Sequence, residues 1–189
     1  VLINGGGRPD INYQSHLQHV QGMVELLEAN GMRREDITVF SGDGSDPALD
    51  LATRERSTEA DYWLIPQYTP LRPPIVFVNS AVDGMLLQAA RKDTLRAWFD
   101  TQGAGLRHGD TLLFYVTDHG HRNDQDLANN TIVLWGEELS VTELREMLGG
   151  LDPRVRVVML MSQCYTGSFA NAIFKGPGAT LPEGNVCGY

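Results

Sequence analysis

"TLLFYVTDHGH", residues 111–121, decides how this chain is read. Thr111 to Val116 form an apolar run suited to a strand buried on both faces. The run breaks abruptly into an acid, two histidines and a glycine. A strand that ends in titratable groups delivers them to the carboxyl edge of its sheet, where open parallel sheets collect function. Runs of the same character recur outward from it: "VLIN" at 1, "ITVF" at 37, "IVFVN" at 75, "TIVLW" at 131 and "VRVVMLM" at 155. All six are expected to be buried parallel strands.

Helical patterns lie between several of these runs. Ser15 with Gln18 reads as a capping box opening a helix whose Leu17, Val20, Val24 and Leu27 share a face before Gly31. Asp93 is expected to cap a second helix carrying Leu95, Trp98 and Phe99. Ser140 with Glu143 boxes a third, with Leu144, Met147 and Leu148 ahead of Gly149 and Gly150, and a shorter fourth starts near Gly167. Strands alternating with helices predict an α/β fold: a three-layer sandwich with a mostly parallel sheet flanked by helices. Residues 41–74 break the pattern, being rich in Pro, Asp and Arg and weakly periodic, and read as an inserted loop or flap in an otherwise single domain over 1–189. Val1 starts inside one strand and Tyr189 ends inside another candidate, "NVCGY". The chain is therefore expected to be a processed piece of a longer one, its domain lacking a C-terminal part.

The 189 residues, 42% of them apolar, suffice for one substantial core. Lys and Arg number 15 against 24 Asp and Glu, and a net charge of -9 argues against a phosphate-backbone partner, so no nucleic acid is expected. No apolar run approaches the roughly 18 residues of a membrane span, so no membrane partner is expected either and the chain reads as soluble. Cys164 and Cys187 cannot make a disulfide framework, and neither has a second cysteine at metal-ligand spacing.

Cys164 falls just past the strand at 155, as His119 falls just past the strand at 111. A cysteine nucleophile acts as the thiolate and needs a partner for its proton, a task suited to imidazole. Gly120 lets a backbone N–H approach a substrate carbonyl, and the amide of Cys164 offers a second donor, together an oxyanion hole. Other readings stand beside this one. Cys164 can be a small core residue. His119 and His121, spaced by two, can begin a zinc site with Asp118, but no further cluster of ligands follows and no metal is assigned. Gly5, Gly6 and Gly7 lack the GK[ST] of a phosphate loop and read as a rim that lets substrate pass near the backbone. No cofactor is expected.

"FYVTDHGH", "TIVLW", a capped helix, "VRVVMLMSQCYTGSF" and "NVCGY", together with "INGGGRPDINYQSHLQHVQGMVELLEANGMRREDITVF" near the start, resemble the legumain family of cysteine peptidases and the fold it shares with caspases, metacaspases and gingipains. The resemblance implies a caspase-like fold and a cysteine endopeptidase working through a Cys-His dyad and an acyl-enzyme. It makes Cys164 the nucleophile, His119 the acid and base, and Gly120 with Cys164 the oxyanion donors. Asn12 matches the asparagine that orients the histidine, although a turn residue ahead of Ser15 explains it equally well. Asp118 matches an aspartate that tunes the site, although a solvated acid at a strand end explains it equally well. Legumain's asparagine-reading positions hold Gln14, Ser15 and Ser162 here, so Gln14 and Ser162 are expected to line a roomier or uncharged first pocket. The implied partners are a protein or peptide substrate and a second chain, C-terminal to Tyr189, that completes sheet and pocket. Transpeptidation through the same acyl-enzyme, or an inactive binding module, are the alternatives.

Overall fold

A computed structural model describes residues 1–54, 75–174 and 185–188. Along the chain run β1 (Leu2–Asn4), α1 (Gln14–Ala29), β2 (Val39–Ser41), β3 (Leu51–Arg54), β4 (Ile75–Val78), α2 (Lys92–Trp98), β5 (Thr111–Thr117), β6 (Gly120–His121), β7 (Thr131–Leu134), β8 (Glu137–Ser140), α3 (Val141–Gly149), β9 (Arg156–Met161) and β10 (Val186–Gly188). A π-helical turn at Phe99–Gly103 extends α2, and a 3-10 helix spans Thr166–Ala172. The central sheet has five strands, all parallel, in the order β10-β9-β5-β1-β2. The fold is thus α/β.

The period-two alternation of the strands divides the apolar side chains between two faces. Leu2 and Val39 pack with Leu17, Val20 and Val24 of α1 on one side. Ile3, Phe40, Phe114, Val116, Met159 and Met161 pack on the other with Leu95 of α2 and Leu144 and Met147 of α3. Helices therefore cover both faces, which fits the expected layering. Phe114, on the middle strand and fully buried, sits at the centre of the larger core.

Four of the six expected strands join this sheet, and two do not. Residues 75–78 pair antiparallel with β3 in a separate two-stranded ribbon, and residues 131–134 form the middle of an antiparallel three-stranded sheet, β6-β7-β8. The reason for the second lies in the chain: Trp135 and Gly136, the latter with φ 72°, make a two-residue turn that returns β8 along β7. Burial on both faces misled, because β7 sends Ile132 and Leu134 into the core and packs the buried Val133 against the Gly5–Gly7 loop. Residues 186–188, within the expected "NVCGY", supply the edge strand β10.

Helix starts differ from expectation in two cases. Residue Tyr13 occupies the N-cap of α1 without a side-chain cap, so Ser15 and Gln18 lie inside the helix and make no box. Asp93 lies within the first turn of α2; the N–H of Lys92 donates instead to Glu137 of β8 at 2.9 Å, a cap supplied by tertiary structure. The α3 capping box forms as expected: the Ser140 hydroxyl accepts from the Glu143 N–H at 3.2 Å, and the Ser140 N–H donates to the Glu143 carboxylate at 2.8 Å. Of the 41–74 stretch, the first part is described. It enters β3, whose Ala52 meets Tyr13 at the start of α1, while 55–74 lie outside the described residues. No helix among the described residues is long and apolar enough to cross a membrane.

Candidate active site

Three adjacent strands, β9, β5 and β1, end at the same edge of the sheet. From β1 the chain moves outward to β2 in one direction, while β5 and β9 lie in the other. The crevice between β1 and β5 is therefore the topological switch point, where α/β sheets take their ligands. The loops that follow these strands carry Gly5–Gly7 and Asn12, Asp118–Gly120, and Cys164.

Asp118 leaves β5 with φ 103°, a conformation that non-glycine residues seldom adopt. The bend turns its side chain inward, to full burial, and the Gly6 N–H donates to Oδ2. The other oxygen, Oδ1, is buried without a hydrogen-bond partner. It faces two imidazoles: His119 Nε2 at 3.3 Å and His16 Nε2 at 3.6 Å. Burial pushes the Asp118 carboxyl up to about 6, against the opposing pull of the His119 ring and of the Gly6 and His119 amides. Burial likewise pushes His16 down to about 4, helped by the neighbouring His119 and His19 rings. His16 is accordingly neutral at pH 7.

His119 Nε2 also lies 3.1 Å from the Ile11 carbonyl. A carbonyl only accepts, so Nε2 carries the proton of the neutral ring and Nδ1 is the nitrogen left for proton exchange. Tyr13 packs edge-on against the His119 ring, with centroids 5.6 Å apart. The orienting contact thus comes from the backbone one residue before the expected asparagine. Asn12 is fully buried elsewhere: its carbonyl accepts from Asn4 Nδ2 at 3.1 Å, and its Nδ2 donates to the Asp50 carbonyl at 2.9 Å and to Asp50 Oδ2 at 3.3 Å. Asp50, itself buried, accepts from the Ser80 N–H at 2.6 Å and the Ser80 hydroxyl at 2.7 Å. Asn12 therefore ties the loop ahead of α1 to the excursion that follows β2.

Gly120 is where the loops after β5 and β9 touch. A Cβ there would collide with the Cys164 carbonyl, and would also meet Gln163 Cγ at 3.0 Å and the Thr131 carbonyl at 3.1 Å. Cys164 is exposed and unpaired, at a turn completed by Tyr165 in the left-handed region with φ 58°. Ser162 is exposed, its hydroxyl donating to the Val116 carbonyl at 3.1 Å. Gln14 is also exposed, at the start of α1, and accepts from the Thr53 hydroxyl at 2.5 Å. Gln14 is thus engaged with β3, not with the other expected site residues.

Three further residues belong to the picture and escaped sequence reading. His16 and His19 stand three apart on α1, so they share a helix flank, and both Nδ1 atoms approach the buried Thr117 hydroxyl, at 3.4 and 3.3 Å. That spacing was the available signal. Gln163 is buried beside Gly120 with neither amide atom hydrogen-bonded, and nothing in the sequence distinguished it. His121 departs from the group: it pairs with Glu138 at 2.6 Å on the exposed hairpin, so the His119 and His121 pair, which could have begun a zinc site, is split. The Gly5–Gly7 rim also serves the chain itself. A Cβ at Gly5 would strike the Val133 backbone of β7, and Gly6 and Gly7 have φ 73° and 69°, so glycine here admits a crossing strand and the Asp118 contact.

No protein-family model matches this chain, and no curated protein does.

Proposed function

We propose that the chain is a cysteine endopeptidase of caspase-like, legumain-like architecture, with Cys164 and His119 as its dyad. The observation that carries this reading is the contact of Gly120 with the Cys164 backbone, which sets a histidine-glycine turn against an exposed thiol across two adjacent parallel strands. A histidine held at Nε2 by a backbone carbonyl retains Nδ1 for the reaction, and this too supports the reading. In the mechanism that follows, His119 Nδ1 takes the proton of the Cys164 thiol, the resulting thiolate attacks the peptide carbonyl, and the carbon becomes tetrahedral. The N–H groups of Gly120 and Cys164 stabilise the oxygen anion, a contribution worth about 3–4 kcal/mol per donor in acyl transfer. His119 gives its proton to the departing amine, and water, deprotonated by the same ring, releases the acyl group from sulfur. Asp118 biases the ring electrostatically through Oδ1. Ser162 borders the first pocket, with a neutral side chain that favours an uncharged or small residue. The three-residue edge strand β10 is a place where a further strand from a second polypeptide would extend the sheet.

Mass spectrometry of a diverse peptide library incubated with the protein, beside Cys164→Ala and His119→Ala, tests this. Cleavage only by the unaltered protein is expected, with both variants at least ~1000-fold slower. Equal inertness of all three, including with an added amine peptide as alternative acceptor, refutes the peptidase reading and leaves a binding module.

A further inference from the structure

His16 comes from α1 and Asp118 and His119 from the end of β5, yet their ligand atoms lie within 4.8 Å of one another. We propose that these three residues form a site for a borderline divalent metal ion such as Zn2+, bound by His16 Nε2, His119 Nε2 and Asp118 Oδ1, with water completing the shell. The independent sign of a ligand is Asp118 Oδ1: a buried carboxylate oxygen with no hydrogen-bond partner, fixed in direction because Gly6 holds its twin.

The spacing fits. A tetrahedral ion with N and O ligands at about 2.1 Å requires donors roughly 3.4 Å apart. Asp118 Oδ1 stands 3.3 Å from His119 Nε2 and 3.6 Å from His16 Nε2. The third edge, between the two imidazoles, lies within 4.8 Å, and binding requires the His119 ring to give up its contact with the Ile11 carbonyl. His16 is oriented from behind, its Nδ1 lying 3.4 Å from the Thr117 hydroxyl, the outer hydrogen bond that metal-binding histidines use to fix the ring. Two imidazoles with one carboxylate suit Zn2+ and its first-row neighbours, whereas Ca2+ and Mg2+ require oxygen-rich cages.

One consequence rests on the peptidase reading. A metal on His119 Nε2 uses the lone pair that is otherwise protonated, so the ring's one proton moves to Nδ1. The dyad then has no base, and metal binding and catalysis exclude each other. The site is a reversible metal brake.

The test uses the whole chain stripped of metal with a chelator. Co2+ titration followed by visible absorption, and Zn2+ titration calorimetry, are expected to give one ion per chain, with ligand-field bands and no thiolate charge-transfer band. His16→Gln weakens binding well beyond the ~10-fold that loss of an outer hydrogen bond costs, and Asp118→Asn does the same, while His121→Gln changes nothing. If Asp118→Asn fails to fold, the half-buried His16 carries the comparison. Absence of binding overturns the site, as does a thiolate band or an unchanged affinity in His16→Gln. Library cleavage separates the two proposals. Peptide cleavage without metal binding sinks the metal site alone; metal binding by a protein that never cleaves sinks only the peptidase reading. Zn2+ suppression of cleavage, reversed by chelator, supports both.

Discussion

Gly120→Ala tests the contact on which the proposed site depends. Two of the three atoms that would meet the new methyl group, the Cys164 and Thr131 carbonyl oxygens, belong to backbone and cannot rotate away; only the Gln163 side chain can yield. Gly120 does not have a positive φ, so the backbone itself accepts alanine and the cost is purely steric. Overpacking a rigid environment costs about 1–3 kcal/mol, and the upper end applies where backbone must move. At roughly 2–4 °C per kcal/mol for a domain of this size, Tm should fall by ~6–12 °C. Relief requires the Cys164 segment to retreat from the β6 turn by about 1 Å, a misplacement that costs on the order of 100-fold in rate. Gly167→Ala is the control. It lies three residues past the cysteine, and a Cβ there meets nothing within 4 Å, so its cleavage rate should stay within about threefold of the parent. Thermal melts followed by circular dichroism, and initial rates on a peptide identified from the library, decide the matter. A Gly120→Ala protein that melts with the parent and cleaves at full rate refutes the steric argument. One that melts low yet cleaves fully refutes the positional role of the contact.

The remaining predictions concern stability. Asn12→Ala strips hydrogen bonds from buried Asn4 and Asp50 and should cost about 2–4 kcal/mol, seen as a Tm drop of roughly 5–15 °C; a drop under 2 °C would mean the network is dispensable. Gly22→Ala, at an exposed position in α1 with nothing within 4 Å of the new Cβ, should raise stability by ~0.5–1 kcal/mol, measured by urea denaturation. Asp118 has its carboxyl raised from 3.8 to about 6 by burial, so the folded state holds this proton more tightly than the unfolded chain does. The resulting stability is complete below pH 3.8 and is lost as pH rises through 6, with the His16 and His119 rings and the Gly6 amide as the groups facing the carboxylate. Asp118→Asn should therefore gain on the parent by on the order of 2–3 kcal/mol between pH 4 and pH 8. Melts of both proteins across that range would expose a wrong sign at once. His16 acts in the opposite sense: lowered from 6.5 to about 4, it contributes stability above pH 6.5 that is lost as pH falls towards 4. His16→Gln should flatten the parent's acid-side loss.

Much of this architecture was legible in the chain, because parallel strands buried on both faces write themselves as continuous apolar runs. "TLLFYV" and "VRVVMLM" became the paired strands β5 and β9, and "VLIN" and "ITVF" supplied β1 and β2. The same signature failed at "TIVLW" because apolar continuity reports burial and not direction; the direction was written in the two-residue Trp135-Gly136 turn beside it. At "IVFVN" the residues turned out half-exposed or exposed, so composition outweighed environment there. The site was readable as far as strand ends could be paired, which put Cys164 and the His119-Gly120 turn in one neighbourhood. It was unreadable where partners come from backbone or from helix phase. The Ile11 carbonyl, which any residue would offer, leaves no mark in the order of amino acids, and the spacing of His16 and His19 marks a shared helix flank but not the contact with Asp118.

The Gly6 to Asp118 hydrogen bond joins residues 112 positions apart, and Gly120 meets Cys164 only after β9 has docked beside β5. Contacts of such sequence separation form late, because the chain must lose the entropy of long loops before they return anything. A chain still emerging from the ribosome, or one that has folded only its first helix and two strands, would hold a thiol and a histidine with nothing to bring them together. For the peptidase proposed above, completion of the sheet is itself the first licence to act.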